Sequence, residues 1–236
     1  MKKLLPILFF SISLFGCSSL ELEAISSSEE ETQRILALGL SHEENLLEAS
    51  KLSSSHMVSV VTLQLNNARE EKIQNEIDFV ESEKFAEMVS ISEDNLNFMG
   101  PEIVNSIKKG VLQTDIDVQT HFLSGKKSED GELLHKLNIT IEHNSSKKRQ
   151  YLSANLCDQW MRCDGNEQEL NVISSNASGC LTTGCNYVEK MELSFEDELL
   201  KNMIDSGFTL RINTKRSSNK IKVPSAYLRG YLKIAN

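Results

Sequence analysis

Apolar and polar residues alternate through the middle of the chain with a period of two, which is typical of half-buried strands. The alternation is clearest in the segments 111–123 and 133–143. Nine residues with two glycines and five charges separate these segments, so they predict a long hairpin. The residues predicted to face the core are Leu112, Ile116, Val118 and Phe122 in the first strand and Leu133, Leu137, Ile139 and Ile141 in the second.

Similar short runs continue towards the end of the chain. Strands are predicted at 147–156, 170–174, 186–195, 208–215 and 220–223. Many short strands separated by turn residues are typical of antiparallel sandwiches. We therefore expect a mainly β fold, an antiparallel sandwich or a barrel-like sheet, with one N-terminal helix and one short helix in the C-terminal half. An α+β arrangement is the alternative.

The N-terminal helix is predicted from a cap and a helical period. Ser28 and Glu31 have the spacing of a capping box, and apolar residues then recur at helical intervals. They predict a helix over 29–52, although Gly39 weakens its middle. From 56 to 65 the period changes towards two, and a strand is expected there. Its apolar face would consist of Met57, Val61, Leu63 and Leu65.

The other segments give coarser predictions. The stretch 67–110 fits either a helix or two strands. Ser194 and Asp197 resemble the cap of a short helix, and Gly207 has the position of the residue after its end. The tyrosines and leucines of 223–236 are expected to pack in the core or at a sheet edge. The apolar stripe of the short helix would be Leu199, Leu200, Met203 and Ile204.

The start of the chain has the organisation of an export signal. Lys2 and Lys3 precede an apolar run from Leu4 to Phe15, far shorter than the roughly 20 residues needed to span a bilayer. A charged start followed by a short apolar run predicts a signal peptide. Its end, Leu14-Phe15-Gly16-Cys17, resembles the lipobox of bacterial lipoproteins, in which the chain is cut before the cysteine.

The lipoprotein resemblance implies that residues 1–16 are removed and that Cys17 carries a diacylglycerol and a further acyl chain such as palmitate. Two or more chains anchor a protein stably. Ser18 after the cysteine implies export to the outer membrane, facing the periplasm. Residues 17–55 would then form a lipidated acidic tether with a helix, and 56–236 a β-rich periplasmic domain. An ordinary secretory signal with a free Cys17 is the alternative.

The charge of the chain excludes one class of partner. The 236 residues carry a net charge of −9, and loss of Lys2 and Lys3 with the leader makes it −11. An acidic chain without an arginine-rich or aromatic-interleaved stretch repels nucleic-acid phosphates. No phosphate-binding or dinucleotide-binding fingerprint occurs either. We therefore predict no nucleic-acid partner and no cofactor.

Four cysteines remain beyond Cys17. An even number behind an export signal predicts disulfides, because the compartment beyond the inner membrane is oxidising. Pairing of neighbours closes two short loops and is favoured, while crossed pairings would join those loops; all three connectivities stay open. The spacings are loose for a zinc site, so no metal is expected. The four residues are Cys157, Cys163, Cys180 and Cys185.

Two histidines on the predicted hairpin are candidate metal ligands. His121 precedes Phe122 and so lies on the polar face of its strand, whereas His135 shares the apolar face of the next strand. Paired residues share a face, so the two side chains are predicted to point apart. His135 is expected to be half-buried and hydrogen-bonded. No catalytic residue is predicted, because no histidine lies near Cys180 to activate it and no Gly-x-Ser-x-Gly motif occurs.

Trp160, between Cys157 and Cys163, is the candidate contact residue.

Residues 180–236 loosely resemble exported bacterial proteins of the invasion-associated locus B type, in a Gly-Cys pair followed by strand, helix, strand and strand. The main hypothesis is a non-enzymatic, lipid-anchored envelope protein that presents a disulfide-stapled β-rich domain to envelope proteins or glycans, through a sheet edge or Trp160. The alternatives are a cell-wall-acting envelope enzyme and a lipid or lipoprotein carrier with an apolar cavity beneath the sheet.

Overall fold

The computed structural model describes residues 18–109, 115–158, 160–182 and 184–235. The chain divides into two compact units, 1–76 and 77–236, which are described separately. Cys17, the predicted lipidation site, lies outside the described residues. Among the helices of the described part, none is long and apolar enough to cross a membrane.

The first unit is helical. It contains α1 (Ser18–Leu36), α2 (His42–Ser50) and the first part of α3 (Ser55–Met88). The single helix predicted over 29–52 is two helices, because Gly39 adopts a φ of 65° in the turn between them. A capping box does occur, but at Ser41 and Glu44. The core of the unit consists of Ile35, Ala49, Val61 and Leu65.

The strand predicted over 56–65 is wrong, since this segment is the start of α3. Val61 and Leu65 lie one turn apart on a helix and are both buried, whereas Leu63 points away and is 60% exposed. The short stretch of alternating residues fits both periods, and packing against α1 and α2 selects the helix.

The second unit contains two antiparallel sheets. The first sheet consists of β1 (Ser90–Ile91), β2 (Asn97–Met99), β3 (Ile103–Lys109), β4 (Asp115–Lys127), β5 (Leu133–Ser145), β8 (Asn171–Leu181) and β9 (Gly184–Glu196). Its strand order is β1-β2-β4-β5-β9-β8, and β3 pairs with β4 beyond the end of β2. The second sheet has the order β11-β10-β6-β7 and consists of β6 (Ser153–Leu156), β7 (Glu167–Gln168), β10 (Phe208–Asn213) and β11 (Ser218–Val223).

The mainly β fold with antiparallel sheets and an N-terminal helix is confirmed. The predicted hairpin of β4 and β5 is present, with Leu123 opposite Leu137. The short helix also occurs as α4 (Asp197–Asn202), but its N-cap is Glu196 rather than Ser194, and it ends before Gly207.

The end of the chain forms one more helix, α5 (Ser225–Ala235). Tyr227 and Tyr231 are fully buried in the core that both sheets share, which confirms core packing of the terminal tyrosines. The Tyr227 hydroxyl accepts a hydrogen bond from the Leu123 N–H and donates one to the Pro101 carbonyl. These bonds attach α5 to the first sheet.

Candidate interaction site

The Trp160 loop, defined as residues 157–163, leaves the second sheet directly after β6; residue 159 is not described. A disulfide joins Cys157 to Cys163 and closes the loop at its base. Cys163 is 3% exposed, and the Cys157 N–H donates to the Thr209 carbonyl on β10 at 2.9 Å. Arg211 of β10 donates to the Cys163 carbonyl at 2.8 Å. The base of the loop is therefore bonded to the sheet.

Asp158 organises the interior of this loop. One carboxylate oxygen accepts hydrogen bonds from the Trp160 and Arg162 N–H groups, both at 2.9 Å. The other accepts from the Arg162 guanidinium at 2.7 Å. Partial desolvation raises the pKa of Asp158, but these three donors outweigh it and lower the pKa overall. A single charged side chain thus holds the backbone on both sides of Trp160.

Two apolar side chains stand out from the loop. Trp160 is 71% exposed and Met161 is 50% exposed. Met161 has a φ of 60°, which non-glycine residues seldom adopt. Large apolar side chains on a fixed backbone bind with little loss of conformational freedom, and tryptophan is enriched among the residues that dominate binding energy. The loop has the properties of a preorganised contact.

The strand β8 is a second open surface, at the edge of the first sheet. Every residue of β8 is exposed except Ser174, which is half-buried. The strand contains no charged residue and no proline. Natural edge strands are commonly protected by such residues, as β11 is by Lys220 and Lys222, both exposed. The backbone groups along β8 can therefore pair with another extended chain.

The four remaining cysteines form two disulfides between neighbours in the sequence, so disulfide formation is confirmed. Cys180 is bonded to Cys185 at the hairpin end of β8 and β9, as Cys157 is to Cys163 in the Trp160 loop. Both disulfides lie beside the two open surfaces described above.

The predicted core face of β4 is wrong. Asp117, Gln119, His121 and Leu123 are buried, while Val118 and Phe122 are half-buried on the other face. Leu112 and Ile116 lie where side chains are not described. This face is inside because the second sheet packs on it, and Asp117 there accepts two hydrogen bonds from Arg149, one of them at 2.7 Å. This pairing compensates for burial of the charge.

A polar cluster continues from this ion pair. Tyr151, which is 4% exposed, donates to Asn219 of β11 at 2.9 Å. Burial raises the pKa of Tyr151 to about 12, against a smaller lowering by Arg149. The side chain therefore remains protonated at neutral pH. Because the cluster lies between the two sheets, it stabilises the domain rather than offering chemistry to a substrate.

The prediction that the side chains of His121 and His135 point apart is wrong. His121 lies opposite Ile139, and His135 lies opposite Gly125, all on the inner face. The His121–Ile139 pair and the Gly125–His135 pair lie four residues apart along β4. In the described part of the chain, no group of three or more His, Cys, Asp or Glu side chains is arranged to hold a metal ion.

His135 is fully buried, rather than half-buried as predicted, and both ring nitrogens have partners. Nδ1 lies 2.9 Å from the Tyr231 hydroxyl and Nε2 lies 3.2 Å from the Asp197 carboxylate. Burial lowers the pKa of His135, while Asp197 opposes this shift. This hydrogen-bonded chain connects β5, α4 and α5 within the core.

One serine lies beside a histidine, but its geometry does not activate it. Ser145 Oγ is 3.2 Å from His143 Nδ1. The hydroxyl donates to the Lys147 carbonyl at 2.5 Å. A nucleophilic serine must instead donate its proton to the neighbouring base, so the pair lacks that requirement.

Comparison with protein-family models, with curated proteins and with solved structures finds no match to this chain.

Proposed function

We propose that this chain is a non-enzymatic binding protein of the bacterial cell envelope, held at its membrane by lipid on Cys17, and that it binds a partner protein through the Trp160 loop. The observation that carries the proposal is the 71% exposure of Trp160 on a loop fixed by a disulfide and by Asp158. Tryptophan at such a position stabilises a complex once a partner removes it from water.

The β8 edge supports a protein rather than a glycan as the partner. Its exposed backbone donors and acceptors match those of an extended polypeptide, which can add a strand to the sheet. A sugar chain lacks the alternating backbone N–H and C=O groups with which an extended polypeptide adds to a sheet. The uncharged surface of β8 also imposes no electrostatic barrier on a partner strand, although the chain as a whole is acidic.

The location rests on the leader and the cysteines. The lipobox-like tetrapeptide ends at Cys17, and the two disulfides fit an oxidising compartment. A Cys17→Ser variant tests the anchor in cells: the variant should stay unprocessed or move to the soluble fraction. Unchanged processing and membrane retention would show that Cys17 carries no lipid.

The contact is tested by crosslinking in cells followed by affinity capture. The wild type should recover one stoichiometric envelope protein, and Trp160→Ala should lose it, because removal of a central tryptophan costs about 2 kcal/mol or more, equivalent to roughly 30-fold in affinity. Leu152→Ala is the matched control, since Leu152 is also apolar and is 57% exposed. Equal recovery by the two variants contradicts the proposed contact.

Tryptophan emission separates a protein from a glycan partner. Trp160 is the only tryptophan of the chain, so its fluorescence reports directly on the loop. The captured protein should shift this emission to shorter wavelength. If soluble cell-wall glycan fragments produce the shift and the captured protein does not, the partner is a glycan and the protein assignment is wrong.

A further inference from the structure

A groove of about 670 Å³ crosses the outer face of the first sheet near its β1 edge. Strand pairing places Met99 beside Ser124 and Lys136 in one row, and Lys126 beside Leu134 in the next. All five side chains line the groove. The volume lies within the range of small-molecule sites, which is roughly 300–1,000 Å³.

The groove exposes apolar surface that no described residue of its own unit covers. On the outer face, Met99 is 51% exposed and Leu134 is 48% exposed, and Ile91 borders the groove at the sheet edge with 47% exposure. Phe98 also borders the groove, although it pairs with Gly125 in an inner-face row and is only 7% exposed. A concave apolar surface of this kind is typical of a site for the apolar part of a ligand rather than of a flat protein interface.

The charged side chains that line the groove are positive, and two acidic residues, Glu192 and Glu196, lie next to it. Among the described residues, two lysines and no acidic residue line it, although the chain carries a net charge of −9. Lys136 is paired with Glu192 at 2.9 Å. Lys126 is exposed and forms no ion pair within the described ranges. An unpaired cation beside apolar surface complements a ligand that has an anionic head and an apolar chain.

The hydrogen-bond donors that line the groove favour a ligand with a carboxylate head over one with a phosphate head. No arginine and no helix N-terminus lines the groove among the residues that the structure describes, whereas phosphate sites commonly use arginine pairs or helix N-termini. We infer that this groove binds a long-chain fatty acid, with its alkyl chain against Met99 and Leu134 and its carboxylate at Lys126. This inference is independent of the Trp160 loop and extends beyond the proposed function.

The test is titration of the purified chain with dansyl-labelled undecanoic acid, followed by displacement with unlabelled palmitate. Binding should enhance and blue-shift the dansyl emission. Lys126→Glu should weaken binding roughly tenfold or more, because like charges oppose each other at the head group. Lys148→Glu makes the same change of net charge at an exposed position outside the groove and should bind as the wild type does.

A second variant tests the alkyl site. Leu134→Asp places a charge on the apolar floor and should abolish the emission change, with intact disulfides and an unchanged circular dichroism spectrum as evidence of folding. Trp160→Ala should bind the fatty acid normally, which keeps this result separate from that of the proposed partner contact.

Several outcomes would overturn the inference. They are an absence of emission change with the wild type, equal binding by Lys126→Glu and Lys148→Glu, and equal displacement by an uncharged long-chain alcohol. Stronger displacement by a lysophospholipid than by palmitate would assign a phosphate head and contradict the carboxylate.

Discussion

Replacing His121 with leucine should flatten the dependence of unfolding free energy on pH below neutrality. His121 is completely buried between the sheets. Burial lowers its pKa from 6.5 to about 4, and the Lys222 backbone opposes this shift only in part. Neither ring nitrogen has a hydrogen bond of normal geometry within the described residues. The folded protein therefore holds this imidazole in its neutral form.

The size and direction of this pH effect on stability follow from the pKa of His121 in the unfolded and the folded chain. Because the folded-state pKa is the lower one, the unfolded chain binds more protons between pH 6.5 and about 4. The contribution of neutral His121 is complete above pH 6.5, declines as the pH falls, and is lost below about 4. A difference of this size corresponds to roughly 3 kcal/mol.

Urea unfolding at a series of pH values measures this contribution. Near-ultraviolet circular dichroism of the buried tyrosines Tyr227 and Tyr231 reports on the unit formed by residues 77–236, which also contains His121. The wild type should lose roughly 3 kcal/mol more than His121→Leu between pH 7 and pH 4, while His56→Gln, at an exposed position, should parallel the wild type. Parallel curves for the wild type and His121→Leu would refute the reasoning.

Three other substitutions test separate parts of the structure. Arg149→Met should destabilise the domain by about 3–5 kcal/mol in urea unfolding, because it removes the Arg149 ion pair from the buried Asp117 carboxylate; a loss below 1 kcal/mol would contradict this. The double variant Cys157→Ala/Cys163→Ala should lose about 2 kcal/mol of stability and also partner affinity, measured by calorimetry, whereas unchanged affinity would show that loop closure is unimportant for binding. Gly230→Ala should lower the melting temperature, since its new methyl group would overlap the α3 backbone and lie 2.7 Å from a neighbouring side-chain carbon; an unchanged melting temperature would show that the helices adjust.

Local pattern was sufficient where each segment determines its own structure. The alternation of β4 and β5, with a polar glycine-containing connection, predicted their hairpin, and it is present. The four cysteines beyond Cys17 predicted disulfides for the same reason. The spacings from Cys157 to Cys163 and from Cys180 to Cys185 are short enough for each pair to close its own loop.

Local pattern failed where a distant segment decides. The alternation places Asp117 and His121 on the face of β4 that was predicted to point to solvent. Arg149 and the second sheet enclose that face. Val61 and Leu65 fit a strand as well as a helix, and only packing against other helices distinguishes them. The same limit applies to the sites. The sequence identified Trp160 as a candidate but not its exposure, and it gave no sign of the groove, whose lining comes from four strands.

Photo-crosslinking in cells tests the central claim most directly. Benzoylphenylalanine placed at position 160 should form one discrete adduct with an envelope protein on irradiation, because the side chain at this position lies in the contact. The same residue at position 152, which is also exposed, should form no such adduct. No protein adduct at position 160, or an identical adduct at both positions, would contradict a partner contact through the Trp160 loop.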